Sequence, residues 1–180
     1  MISRILSLIR MIYYRLFSDK ISVYRKHGMK IGKGCFINTW NFLDECYLID
    51  IGDRVWITAG VRIFTHGGGN ILRDICPNFD CFGKVHIGNN VYIGNNAMIM
   101  PGITIGNNVV IGAGSIVTKN VPDGVVIAGN PARIVGTIDN YKKKYLSYNL
   151  NCKHMTGKEK KEYLLSLSDE NFFKVKSLLK

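Results

Sequence analysis

Aliphatic residues recur every six positions through the middle of the chain, at Ile87, Ile93, Ile99, Ile105, Ile111 and Val117, with Ile51, Ile57 and Ile63 in the same phase upstream. A six-residue period is neither the 3.6 of a helix nor the alternation of a half-buried strand. It suits a solenoid whose coils have three short flat faces and turn a corner every six residues. Ile–Gly pairs mark many repeats (Ile51-Gly52, Ile87-Gly88, Ile93-Gly94, Ile105-Gly106, Ile111-Gly112), and Asn pairs follow at Asn89-Asn90, Asn95-Asn96 and Asn107-Asn108. Gly and Asn accept positive φ more readily than other residues. The pattern therefore predicts aliphatics stacked along the axis, with both Gly and Asn turning the corners.

The pattern divides the chain into three stretches. Residues 1–28 read as an amphipathic helical segment, with Ile2, Ile5, Leu6, Ile9, Met11, Ile12 and Leu16 mainly on one side and Arg4, Arg10 and Arg15 between them. The arginines leave no apolar run long enough for a signal-peptide core or a membrane span. This helix is expected to pack on the solenoid end or on a neighbouring subunit, with peripheral contact at a membrane interface as the alternative. Residues 29–136 are the repeat body, beginning at Ile31-Gly32 and Ile37; a shift of two between Ile49 and Ile51 predicts a less regular first coil. After Ile63 the hexad fails, its phase positions becoming Gly69, Ile75 and Cys81. The stretch 67–84 is expected to be a loop extruded from the solenoid, and long loops on rigid scaffolds tend to carry function. Residues 137–180 form a Lys-rich helical extension, with helical runs over Lys160–Ser166 and Glu170–Leu179 that are expected to fold back and cap the open coil ends.

Charge and cysteine usage narrow the classes further. Twenty-four Lys and Arg against thirteen Asp and Glu give a formal charge of +11, much of it in Lys142-Lys143-Lys144, Lys158–Lys161 and the C-terminal end. Such a surface attracts polyanions, but no aromatic-interleaved basic motif or recognition helix points to nucleic acid. The five cysteines are odd in number and contain no CxxC pair. That favours reduced thiols in a cytoplasmic protein and argues against a metal site. Among the four histidines, His66 stands where the repeat ends and the Gly-rich loop begins, and an imidazole that is neutral near pH 7 suits a general base. His27, His86 and His154 are assigned no chemistry.

The run Ile105-Gly106-Asn107-Asn108-Val109-Val110-Ile111-Gly112-Ala113-Gly114-Ser115-Ile116-Val117-Thr118-Lys119-Asn120-Val121-Pro122, closed by Ala128-Gly129-Asn130-Pro131-Ala132-Arg133, resembles the signature of the hexapeptide-repeat acyltransferases. The likeness covers about residues 30–136 and is strongest toward the maltose, galactoside and polysaccharide O-acetyltransferases. It implies a mainly β fold, a left-handed parallel β-helix, assembled as a homotrimer with active sites between subunits. It also implies acetyl-CoA as acyl donor and a saccharide acceptor, in surface polysaccharide or O-antigen assembly at or near the inner face of the membrane. On the same fold an antibiotic, serine or amino-sugar acyltransferase remains open, as does a non-catalytic scaffold.

The resemblance also assigns residues. His66, in Ile63-Phe64-Thr65-His66, matches the catalytic histidine, which deprotonates the acceptor so that its oxygen attacks the thioester. Asn38 falls where the sugar branch has an acceptor-site asparagine. Where that branch has an acidic acceptor ligand this chain has Cys46, with Asp44 and Glu45 beside it; Asp44 is the substrate-binding candidate. Tyr92 replaces a tryptophan that lines the cleft in many relatives. Asn95, Ala113, Thr118, Lys119 and Arg133 match cofactor-binding positions, with backbone groups of Ala113 and Thr118 toward the pantetheine arm and the two cations toward the nucleotide phosphates.

Overall fold

The computed structural model of the chain describes residues 19–41 and 44–175; the amphipathic run from Ile2 to Leu16 lies outside them. The described residues fall into two compact units that divide between Ile138 and Asp139.

The first unit is a three-sided prism of parallel strands two to four residues long. Its first face stacks Lys30–Ile31, Ile49–Ile51, Val85–Ile87 and Thr104–Ile105; its second stacks Phe36–Ile37, Trp56–Ile57, Val91–Ile93, Val109–Ile111 and Val125–Ala128; its third stacks Arg62–Ile63, Met98–Ile99 and Ile116–Val117. The sixfold aliphatics meet in register along each face, Ile51 with Ile87 and Ile105, Ile57 with Ile93 and Ile111, Ile63 with Ile99 and Val117. Each points inward and is at least 95 % buried, forming one continuous core. Burial of these side chains contributes roughly 1.5–3 kcal/mol each and is the main force holding the coils together.

Register also measures the coils. The regular step is eighteen residues, as from Ile87 to Ile105 and from Ile93 to Ile111. The first coil steps twenty, from Ile31 to Ile51 and Ile37 to Ile57. Its two extra residues lie in the stretch ending at a short 3₁₀ turn, Cys46–Leu48. Ile49 and Ile51 are both buried in one strand, so the shift between them belongs to the longer coil and not to a broken face.

The corners correct one expectation. The second Asn of each pair does turn, with Asn90, Asn96 and Asn108 at φ near 55°, whereas the glycines of the Ile–Gly pairs have no positive φ. They are small for another reason: a Cβ on Gly88 would stand 2.7 Å from the carbonyl oxygen of Gly106, and one on Gly52 2.8 Å from that of Gly88. Glycine there lets successive coils approach. Asn89 and Asn107 knit the coils on the first-to-second corner, because the amide N–H of Asp53 donates to Asn89 Oδ1, that of Asn89 to Asn107 Oδ1, and that of Asn107 to Asp123 Oδ1, all at 2.8 Å.

Both ends of the second face are covered within this unit. At one end helix α1 (Lys20–Lys26), capped by Asp19, buries Val23 and Tyr24, and the Tyr24 hydroxyl donates to the Thr39 carbonyl at 2.9 Å. At the other, strand Arg133–Thr137 turns back antiparallel on Val125–Ala128 and shields its edge. The chain after Pro131 thus reverses directly onto the face it has just built.

The second unit contains helix α2 (Ile138–Leu146) from Asp139 onward, and helix α3 (Gly157–Ser166). Of the run expected to be helical from Glu170, the described residues form only a 3₁₀ turn, Asp169–Asn171, followed by extended backbone at Phe172. Aromatic packing accounts for the difference: the Phe173 ring lies 5.0 Å from that of Tyr145 and 5.2 Å from that of Tyr148, with Lys144 Nζ 5.0 Å above it.

Candidate active site

The chain leaves the prism just after the third-face strand Arg62–Ile63 and rejoins it at Val85. Backbone pairing closes the neck of this excursion: Gly83 N–H donates to the Thr65 carbonyl at 2.7 Å, and His66 bridges Phe82 in antiparallel register. His66 is therefore held at a fixed point on the rim, its ring 5.3 Å from that of Phe82 and its side chain about half exposed. Its Nδ1 stands 3.1 Å from Glu45 Oε2 and 3.5 Å from Thr65 Oγ1. His66 thus combines a fixed backbone position, a half-exposed side chain and an acidic neighbour at Nδ1.

Register places Thr118, Lys119, Asn38, Asn95 and Ala113 on two edges. Phe64 N–H donates to the Ile99 carbonyl and Met100 N–H to that of Val117, which aligns Phe64, Met100 and Thr118 along the edge between the third and first faces. His66, Thr118 and Lys119 thus share that edge, two coils apart. The edge between the second and third faces is aligned by Asn38, Thr58, Gly94 and Gly112, whose N–H groups donate to the carbonyls of Ile57, Ile93, Ile111 and Ile127. It carries Asn38, Asn95 and Ala113, with Gly114 N–H donating to the Asn95 carbonyl at 2.8 Å. One chain therefore divides its candidate residues between the two edges that bound its third face.

A cleft of about 340 Å³ opens at the C-terminal end of the His66 edge, lined by Val117, Thr118, Lys119, Val121, Ile127 and Arg133 among others. Apolar walls with two cations at the rim fit a donor that has an apolar arm and phosphate groups. Val117, Val121 and Ile127, which form its apolar lining, also belong to the buried core and were not singled out as site residues in the sequence.

The acceptor candidates lie apart from one another. Asn38 is exposed on its edge and Asp44 is exposed in the turn before Cys46. Cys46 is 1 % exposed, its thiol directed 3.3 Å from the His27 carbonyl, and burial pushes that thiol above its ordinary pKa. It faces the interior and leaves Glu45, not Asp44, as the acidic group that reaches His66. Tyr92 lies on the outer side of the second face in a row with Trp56 and Phe36, each a little under half exposed. His86 lies on the outer side of the first face, 3.2 Å from Asp50 Oδ2 and away from both edges. Among the described residues no cluster of His, Cys, Asp and Glu could hold a metal ion.

A parallel three-sided prism with a clamped histidine at the neck of its one long excursion has the build of a solenoid transferase. Residues 84–119 match the family model described as bacterial transferase hexapeptide (six repeats). Protein CapG of Staphylococcus aureus is 48% identical over 160 residues, covering 87% of this chain and 91% of its own. A solved maltose O-acetyltransferase from Clostridium difficile is 43% identical, with a TM-score of 0.55 over 61% of this chain and 59% of that one. A galactoside acetyltransferase solved in complex with coenzyme A is 38% identical, with a TM-score of 0.56 over 64% and 58%. The chain thus spans about three fifths of the length of these two enzymes. It belongs to the hexapeptide-repeat acyltransferase family, in the branch of the galactoside and maltose enzymes, and its prism is a left-handed β-helix.

Proposed function

We propose that this protein transfers an acetyl group from acetyl-CoA to a sugar hydroxyl, acting as a homotrimer with sites between subunits in the assembly of a surface polysaccharide. The observation that carries the reading is the placement of His66, clamped at the loop neck on the same edge as the cationic cleft. His66 takes the acceptor's hydroxyl proton as the oxygen bonds to the thioester carbonyl carbon. The carbon–sulfur bond then breaks, the acetyl group stays on the sugar oxygen, and the proton passes from the imidazolium to the departing thiolate. Lys119 and Arg133 offer cations to the donor's phosphates, and Thr118 offers backbone groups to its amides. Asn38 and Tyr92 stand on and beside the other edge, where a neighbouring subunit completes the acceptor site. The basic surface, +11 overall, suits an acceptor carried on a phosphorylated or lipid-linked sugar at the cytoplasmic face of a membrane.

The test is coenzyme A release against a panel of saccharides for the wild type and His66→Ala. Removing the base lowers turnover about 10²–10⁴-fold, while calorimetry finds acetyl-CoA binding unchanged. Full activity in the variant removes His66 from the mechanism, and failure to bind acetyl-CoA removes the donor.

A further inference from the structure

Glu45 has an unusual setting for a surface-turn glutamate. Its backbone sits in the left-handed region, φ 43° and ψ 31°, which an L residue with a long side chain adopts only when its surroundings hold it there. Those surroundings are visible. The next residue, Cys46, is buried to 1 % exposure with its thiol turned toward the C-terminal end of α1, and the Glu45 carbonyl accepts from Leu48 N–H at 2.9 Å. With Cys46 drawn inward, Glu45 extends the other way. Its Oε2 is sealed from solvent and takes no aligned hydrogen bond among the described residues; its ion-pair neighbour is His66 Nδ1 at 3.1 Å. A carboxylate oxygen desolvated without a donor is costly, and an Nδ1–H on His66 offsets that cost after a small rotation of the ring.

We infer that Glu45 is the positioning residue of His66: it keeps the proton on Nδ1, leaves the Nε2 lone pair for the acceptor hydroxyl, and faces the imidazolium that forms when that proton is taken. The inference rests on His66 being the base. It gives the two extra residues of the first coil a purpose, since an eighteen-residue coil would lack the turn that carries Glu45 across to the loop neck. It also separates Glu45 from its neighbour Asp44, which is exposed and free to meet an acceptor.

Two measurements test it. In Glu45→Gln, kcat falls about 10–100-fold, the scale of losing a partner that orients a histidine, while the acceptor KM and the acetyl-CoA Kd stay within about twofold. The double variant His66→Ala/Glu45→Gln is no slower than His66→Ala, because Glu45 acts only through the ring. A raised acceptor KM at unchanged kcat would make Glu45 an acceptor contact. A double variant slower than the single would make its role structural. Independently of turnover, long-range nitrogen–proton spectra of the wild type show His66 Nε2 as the unprotonated nitrogen, and Glu45→Gln mixes the tautomers; identical spectra overturn the inference. A His66-dependent rate that ignores Glu45→Gln sinks this inference alone, whereas a fully active His66→Ala sinks the base itself.

Discussion

Lys119 and Arg133 line the same cleft from different parts of the chain, Lys119 at the corner after the last third-face strand and Arg133 at the start of the antiparallel return. If they meet the donor's phosphates, their loss is one of ground-state binding. Lys119→Ala and Arg133→Ala should each raise the acetyl-CoA KM about tenfold to a hundredfold, as expected for a charge-assisted hydrogen bond worth 1.5–3 kcal/mol. Because that contact is the same before and in the transition state, kcat should change little; an equal fall in kcat would place the side chain at the reacting atoms. His66 stands out in the chain as a candidate because a strict period stops there and a Gly-rich run begins, and the family resemblance supplied the role proposed for it. Glu45 could not, because its importance comes from a backbone turned left-handed and a neighbour pulled inward, and nothing in the letters separates it from Asp44. The one available signal was the two-residue excess of the first coil, which looked like irregularity.

The corners hold each coil against the next through two devices with different tolerances. Gly88→Ala puts a methyl 2.7 Å from the Gly106 backbone oxygen, where nothing flexible can give way, and should destabilise the protein by about 1–3 kcal/mol in denaturant titration. Gly67→Ala, at a loop position where the new methyl meets nothing within 4 Å, should stay within about 0.5 kcal/mol. Equal effects at the two positions would refute the close-approach account. Helix α3 in the second unit depends on a capping box instead: Glu159 N–H donates to Thr156 Oγ1, and the Thr156 N–H donates to the Glu159 carboxylate at 2.8 Å. That backbone donor holds the Glu159 carboxyl below its ordinary pKa. The stabilisation is thus full above the ordinary carboxylate range and is lost as pH falls through the lowered value. Hydrogen exchange should show α3 loosening across that acid range in the wild type, and Glu159→Gln should remove the pH dependence. The strands and corners were legible because six-residue spacing leaves a repeated mark. The antiparallel return at Arg133–Thr137 was not, since a single strand that caps an edge repeats nothing.

Across the whole molecule, the most consequential feature is that the candidate residues of one chain occupy two edges. His66, Thr118 and Lys119 lie on one side of the third face, and Asn38, Asn95 and Ala113 lie on the other. A prism is rigid along its faces, so no local motion brings those edges together. A site that uses both must join the His66 edge of one subunit to the Ala113 edge of the next. In the proposed trimer this head-to-tail contact closes into a ring. The consequence can be measured without knowing how the subunits pack. His66→Ala removes the base from one edge, and Ala113→Trp fills the other. Each variant alone is expected to be inactive, the second through loss of acetyl-CoA binding. Co-expressed in equal amounts, the chains mix, and a site is intact when its His66 comes from an Ala113→Trp chain and its Ala113 from a His66→Ala chain. With random assembly of a closed ring that holds for about one site in four, so the mixture should recover roughly a quarter of wild-type turnover. If every site were built within one chain, each would keep its own lesion and the mixture would stay inactive. Recovery that appears only on co-expression, and not on mixing the purified assemblies at low temperature, would further show that subunits exchange more slowly than they turn over substrate.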